Sequence, residues 1–137
     1  MTDFEKSKNE FIEFLDKSEF VRNLELEFIE MTPEYVKARM PFKDKFLNPY
    51  RTVHGGVLYA LADTVAGALA CLNGSLCTTI DGHLNYLEPA FNTKYIYCVA
   101  KRVRAGKHLV YVTVEVLGDD GKKFDDGVFN FFKIDSQ

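Results

Sequence analysis

A chain of 137 residues has the size of one compact domain, and 47% hydrophobic with 27% charged residues lets it bury a core of its own. Seventeen Lys and Arg against twenty Asp and Glu leave a net charge of -3, which disfavours nucleic acid or an anionic membrane surface as partner. Cys71, Cys77 and Cys98 are odd in number and contain no CxxC pair, so neither a disulfide framework nor a structural zinc site is supported. That usage, and an N-terminal MTDFEKSKNE with no apolar run of signal-peptide length, leads us to expect a cytoplasmic protein.

In chain order, Phe4, Phe11, Ile12, Phe14 and Leu15 recur at helical spacing and predict an amphipathic helix from Phe4 to Phe20, with Thr2 or Asp3 as its cap. Leu24, Leu26 and Phe28 then alternate with Glu25 and Glu27. Thr32-Pro33-Glu34 interrupts that run before Tyr35 to Met40, so two strands joined by a turn are expected. Pro41 to Val53, carrying Asn48-Pro49, reads as a loop. Gly55 to Leu72 is the informative segment: Val57, Leu58, Leu61, Val65, Leu69 and Leu72 form a helical stripe, and Asp63 is its one formally charged residue. A membrane span is the rival reading, but the Ala and Gly content and the central Asp63 favour a buried helix. Small residues such as Ala62, Ala66 and Gly67 let a sheet approach it from several sides.

Asn73-Gly74-Ser75 marks a turn, followed by strand-like runs at Cys77 to Leu87, Tyr95 to Arg104 and His108 to Leu117. In the last of these Val110, Val112, Val114 and Val116 alternate strictly with polar positions or Tyr111. Gly118-Asp119-Asp120-Gly121 closes a hairpin onto the Phe-rich run Lys122 to Ile134. Asp81-Gly82 reads either as a further hairpin turn or as the interior of one strand. The order implies an α+β fold, with an antiparallel sheet wrapped around one long helix, in a single domain over 1–137.

Two features of the buried helix carry chemistry. His54-Gly55-Gly56 places glycine amides at its N-terminus, suited to a developing oxyanion or simply to a tight loop-to-helix turn. Asp63 is costly on an apolar helix and so calls for a cleft, a hydrogen-bond partner or a function. It lies seven residues beyond Gly56, on nearly the same face but roughly 10 Å along the axis. One straight helix therefore cannot put both groups around a single carbonyl, whereas a two-fold dimer laying the Asp63 of one chain beside the glycine turn of the other can.

The run Asn48-Pro-Tyr-Arg-Thr-Val-His54-Gly55-Gly56, then Asp63, then Thr79-Ile-Asp-Gly-His-Leu-Asn-Tyr86-Leu-Glu-Pro89-Ala90, resembles the hot-dog-fold acyl-CoA thioesterases of the phenylacetate-pathway (PaaI) type. The resemblance covers about Leu24 to Ile134. It implies a long helix wrapped by an antiparallel sheet, an added N-terminal helix, and assembly as a homodimer or a dimer of dimers. It also implies that Cys77 to Leu87 is one strand with Gly82 inside it. Residue by residue, it assigns the Gly55 N–H to the thioester carbonyl and Asp63 from the facing subunit to the role of general base or nucleophile. Asn48 helps place the carbonyl or the water, His54 orders the loop, and the Thr79 hydroxyl lies near the attacking water. The resemblance also implies acyl-CoA as substrate, with no metal and no redox cofactor. Non-catalytic acyl-CoA binding or sensing is the alternative; hydratases of the same fold use a His and acid arrangement not found here.

Further substrate contacts are expected from Gly56, Tyr59 and Gly82, Tyr59 either lining an acyl tunnel or packing. Lys101, Arg102, Arg104 and Lys107 form the dense positive stretch of an acidic chain, suited to coenzyme A phosphates or to a solvated hairpin end. The cysteines read as small buried hydrophobes, and His83 and His108 lack ligand-spaced partners. No GxSxG, GxGxxG or GxxxxGK[ST] occurs, which removes the α/β-hydrolase serine and nucleotide-dependent chemistries.

Overall fold

The computed structural model of the chain describes residues 1–72 and 74–134. Thr2 caps the first helix, α1 (Asp3–Leu15), through a capping box with Glu5. The helix read as continuous to Phe20 is two, because the Ser18 hydroxyl accepts from the Val21 N–H at 3.3 Å and starts α2 (Glu19–Leu24). Leu24 is thus the buried end of a helix rather than the start of a strand. Glu25 follows with φ 56, its carboxylate held by Lys43 and Lys45 at 2.6 and 2.7 Å.

Strands β1 (Glu27–Thr32) and β2 (Tyr35–Pro41) form the expected hairpin. The expected loop carries a short 3-10 turn, Asp44–Phe46, before α3 (Gly55–Cys71). Then come β3 (Leu76–Tyr86), β4 (Tyr95–Ala105), β5 (Leu109–Leu117) and β6 (Lys123–Ile134). The turn read at Asn73-Gly74-Ser75 lies partly outside the described residues, at Asn73. All pairings are antiparallel in one six-stranded sheet of order β1-β2-β4-β5-β6-β3, so β3 is an edge strand. Asp81 and Gly82 lie within β3 and are not a turn.

The sheet wraps α3. Leu61, Ala62, Val65 and Ala66 are completely enclosed, and each Leu or Val so placed contributes about 1.5–3 kcal/mol. The alternating valines of β5 supply the facing wall, with Val110, Val112, Val114 and Val116 all buried. Polar side chains cover the other face near β3, where Asn130 donates to Asp81 and Asn85 to Asp126. Gly127 is required where β3 and β6 run closest, since a Cβ there would sit 2.1 Å from the His83 carbonyl oxygen.

One inward position of β6 breaks the apolar rule. Asp125 shares a register row with Tyr86, Val116 and Cys98, is fully buried, and neither carboxyl oxygen has a hydrogen-bond partner among the described residues. Burial, and next the neighbouring Asp126 carboxylate, push its pKa up to about 7. The unfolded chain releases that proton near the ordinary value of about 4, so the folded chain holds more protons between the two values. Stability from this group is complete below the unfolded value and is lost as pH rises through about 7. Asp125→Asn should flatten the dependence of Tm on pH and raise Tm near pH 8 by at least about 4 °C, the shift that about 1 kcal/mol gives a domain of this size. Melting curves that stay parallel to wild type from about pH 5 to 8 would show that Asp125 does not set the dependence.

Candidate active site

Asp63 sits half-buried in the third turn of α3 and faces the edge strand, where the Thr79 hydroxyl donates to its Oδ1 at 2.7 Å. Strand irregularity makes this meeting possible. The β3–β6 register shifts between Thr79 and Asp81, leaving Ile80 as the extra residue of a bulge. Thr79 pairs with Phe131 and Gly82 with Phe129, so Thr79 shares the inner face with Gly82, Leu84 and Tyr86 although simple alternation would separate them. Thr79, expected from the resemblance only to lie near an attacking water, is thereby brought into a direct hydrogen bond with Asp63.

The start of α3 is built by backbone. The His54 N–H donates to the Phe46 carbonyl at 2.8 Å and the Val53 N–H to the Ala90 carbonyl at 2.9 Å. The His54 Nδ1 then accepts from the Gly56 N–H at 2.8 Å and caps the helix. Gly56 is thereby withdrawn as a free donor, while the Gly55 N–H has no acceptor among the described residues. Tyr86, unassigned by the sequence reading, donates its hydroxyl to the Gly55 carbonyl at 2.8 Å and lays its ring against the Gly55 Cα. Its position in the Tyr86-Leu-Glu-Pro89 run was the available signal. Asn48 turns its side chain into its own loop: Oδ1 accepts from the Tyr50 and Thr52 N–H groups and Nδ2 donates to the Thr52 hydroxyl. As placed, Asn48 shapes the loop before His54 and makes no hydrogen bond to Asp63 or Gly55.

Tyr59 packs edge-on against Phe129, with ring centroids 5.2 Å apart. Burial first, then the Asp63 and Asp81 charges, hold its phenol above the ordinary range. Gly82 is covered by its own chain: a Cβ there would lie 2.4 Å from the Phe129 ring and 2.5 Å from the Tyr59 hydroxyl. Gly82 thus provides room for two aromatic side chains rather than an open contact surface. The basic turn is not brought to these groups. Arg102 and Arg104 lie on β4, three strands across from β3 and roughly 14 Å away at ordinary strand spacing, with Arg102 directed at Glu34 at 3.9 Å. Lys107 lies in the connection between β4 and β5. Cys71 and Cys98 are buried, as read, and Cys77 is half-buried. Among the described residues no group of three His, Cys, Asp or Glu side chains could hold a metal ion, and no helix is long and apolar enough to cross a membrane.

An apolar groove of about 290 Å³ opens at the Asp63–Thr79 pair and passes between the N-terminal helices and α3. Phe11 and Phe14 of α1 form its outer side, Gly67 and Ala68 of α3 its floor, and Phe131 of β6 the wall beyond. Gly55 and Asp63, eight residues apart on α3, are separated by about 12 Å along its axis. The arrangement offers an acid with a fixed oxygen beside apolar space, and an unused amide one helix segment away.

Residues 50–124 match the Thioesterase superfamily, so the chain belongs to that family and is classed with thioester hydrolases. Among curated relatives it is 28% identical over 123 residues to acyl-coenzyme A thioesterase 13 of Homo sapiens, covering 85% of this chain and 86% of that one. A provisionally named esterase of Archaeoglobus fulgidus is 27% identical over 99 residues, which span 72% of this chain and 64% of the relative. In fold the chain is similar to the E. coli PaaI protein of the phenylacetic acid degradation operon, with a TM-score of 0.90 at 19% identity over 98% of this chain and 97% of that one. It is also similar to a hypothetical thioesterase of Streptococcus pneumoniae solved with coenzyme A, with a TM-score of 0.76 at 22% identity over 80% of this chain and 85% of that one. The hot-dog architecture expected from the sequence is thus the observed one.

The packing at Gly82 gives a direct test of the floor beneath the site. Gly82→Ala should lower stability by about 1–3 kcal/mol, the usual cost of forcing a methyl into filled space, read as a fall in Tm. An unchanged Tm would mean that the Phe129 and Tyr59 rings move aside freely.

Proposed function

We propose that the protein hydrolyses acyl-CoA thioesters to free acid and coenzyme A, working as a homodimer or a pair of dimers joined along the open edge of β3. The observation that carries this reading is the Asp63–Thr79 pair, 2.7 Å apart at the mouth of an apolar groove and on the same helix as the unused Gly55 amide. Because about 12 Å of helix separates Gly55 from Asp63, a substrate carbonyl needs each from a different chain. The β3 edge suits the second chain: the strand is eleven residues long, is paired with β6 on one side only, and leaves Leu76, Ile80, Tyr86 and the adjoining Leu87 exposed.

In that assembly the Gly55 N–H, at the positive end of α3, donates to the thioester oxygen as it gains charge in the tetrahedral intermediate. Asp63 of the facing chain takes the proton of a water attacking the carbonyl carbon, and returns it to the sulfur as the C–S bond breaks. In the covalent alternative its carboxylate attacks first and the C–S bond breaks, coenzyme A leaving as a thiolate that takes a proton from water; water then hydrolyses the resulting anhydride to the free acid and regenerates the Asp63 carboxylate. Thr79 holds Oδ1 in either case and leaves Oδ2 for the reaction. His54 keeps the helix start in shape by capping Gly56, and Tyr86 anchors Gly55 from the carbonyl side. Neither route calls on a metal or redox cofactor. The coenzyme A part of the proposal is supported by the named activity of the human relative and by the coenzyme A in the Streptococcus pneumoniae neighbour. Arg102, Arg104 and Lys107 are positioned to serve its phosphates only when a second chain brings them near.

Asp63→Asn keeps an acceptor for Thr79 and should leave the melting temperature near wild type while lowering kcat for acyl-CoA by about 100-fold or more, measured by release of free thiol. Near-normal turnover would remove Asp63 from the chemistry, and acyl-CoA binding without thiol release by the wild-type protein would replace hydrolysis with sequestration. Sedimentation at assay concentration should give a dimer or tetramer. A fully active monomer would overturn the shared site.

A further inference from the structure

The groove beside Asp63 is long rather than round. On α3 its floor follows Asp63, Gly67 and Cys71, spaced four residues apart and hence on one side of the helix. On β3 the partners Thr79 and Cys77 share the inner face alongside, so the furrow between helix and strand runs from the Asp63–Thr79 pair toward the Cys71 end. Eight residues of helix make that path about 12 Å. An extended alkyl chain with ordinary carbon geometry advances about 1.25 Å per carbon and spans it in about ten.

Its polarity is one-sided. Asp63, Thr64 and Thr79 stand at the entrance, and beyond them the lining is made of hydrocarbon, aromatic rings and the Cys71 and Cys77 sulfurs. Among the described residues no charged side chain lines the far end to receive a carboxylate, amine or phosphate. The outer wall comes from α1, a helix with no buried residue of its own, whose Phe11 and Phe14 rings lie 5.9 Å apart over the furrow. Phe14 remains 51% exposed, a large apolar surface left without cover on that wall.

We infer that this groove receives the acyl chain of the substrate, that the chain is linear and aliphatic with about ten carbons, and that Phe14 and Gly67 set the preference. This rests on the thioesterase reading above and adds to it the acyl class and the residues that select it. The carbonyl sits at Asp63, and the tail lies along α3 under α1. Gly67 is the narrow point: a Cβ there would lie 3.5 Å from the Phe131 ring, in ordinary contact, so a methyl fits the fold while filling the furrow. Phe14 is the lid over the middle of the chain.

The test compares thiol release from acetyl-, hexanoyl-, decanoyl-, hexadecanoyl- and phenylacetyl-CoA. For the wild-type protein kcat/KM should rise with chain length by up to about fourfold per methylene, peak near decanoyl-CoA, and be lower for phenylacetyl-CoA. Gly67→Ala, which also improves helix propensity, and Phe14→Ala, at a half-exposed site, should each lower kcat/KM for decanoyl-CoA at least fivefold more than for acetyl-CoA. Hydrolysis with no dependence on chain length, a preference for phenylacetyl-CoA, or equal losses on short and long substrates would overturn the groove assignment and leave hydrolysis standing. Loss of oligomeric state in Phe14→Ala with an unchanged chain-length profile would give the groove to a second copy of the chain, and equally overturn it. If no thioester is cleaved, the functional reading falls and the groove is judged by melting temperature. Stabilisation by decanoyl-CoA beyond that by coenzyme A, lost in Phe14→Ala, sustains it, and equal shifts overturn it.

Discussion

An α-helix that is apolar on almost every side has to be enclosed, and α3 is enclosed by a sheet only six strands wide. The curl needed to cover it leaves one side of the helix open, toward β3, where the sheet ends. The one formally charged side chain of α3 is on that side. Asp63 avoids the cost of a carboxylate in the core because it emerges at the sheet's edge, where Thr79 can reach it and a groove admits water. The place where wrapping fails is thus the place where chemistry becomes possible.

Asp125 shows what happens to an acid on the covered side. It also faces the interior, one strand in from the edge, yet it is sealed from solvent and has no hydrogen-bond donor among the described residues. The chain therefore carries two inward carboxyl groups of opposite character. One is fixed by a hydroxyl and accessible, the other isolated and held toward its neutral form. Tyr86 lies between these worlds: it shares a register row with Asp125 and hydrogen-bonds the Gly55 carbonyl. Burial, then the Asp125 charge, keep its phenol protonated, which suits a residue whose task is to donate.

Much of this was legible in the chain. The strict alternation from Val110 to Val116 has one structural outcome, and the all-round apolar run after His54 identified the central helix with its acid. The single N-terminal helix was misread because apolar spacing continues across Ser18, and only the cap geometry reveals the break. The strand start at Leu24 failed for a related reason: alternation of Leu and Glu over a few residues fits the end of an amphipathic helix as well. Asp125 was within reach, since Phe131, Phe129 and Gly127 place it on the inner face by period of two, but adjacent acids read naturally as a solvated surface. The Thr79–Asp63 contact and the aromatic filling over Gly82 were not derivable from spacing alone. Both depend on a bulge whose extra residue, Ile80, looks in sequence like any other strand position.

That extra residue divides β3 into two halves that are out of phase. The half before it supplies the hydroxyl that steadies the acid, and the half after it supplies the tyrosine that anchors the helix start. Straightening the strand with Ile80 drawn into the regular ladder would turn one half inside out while leaving every amino acid named in this site in the chain. A descendant could keep all of them and still lose the site by a change of register.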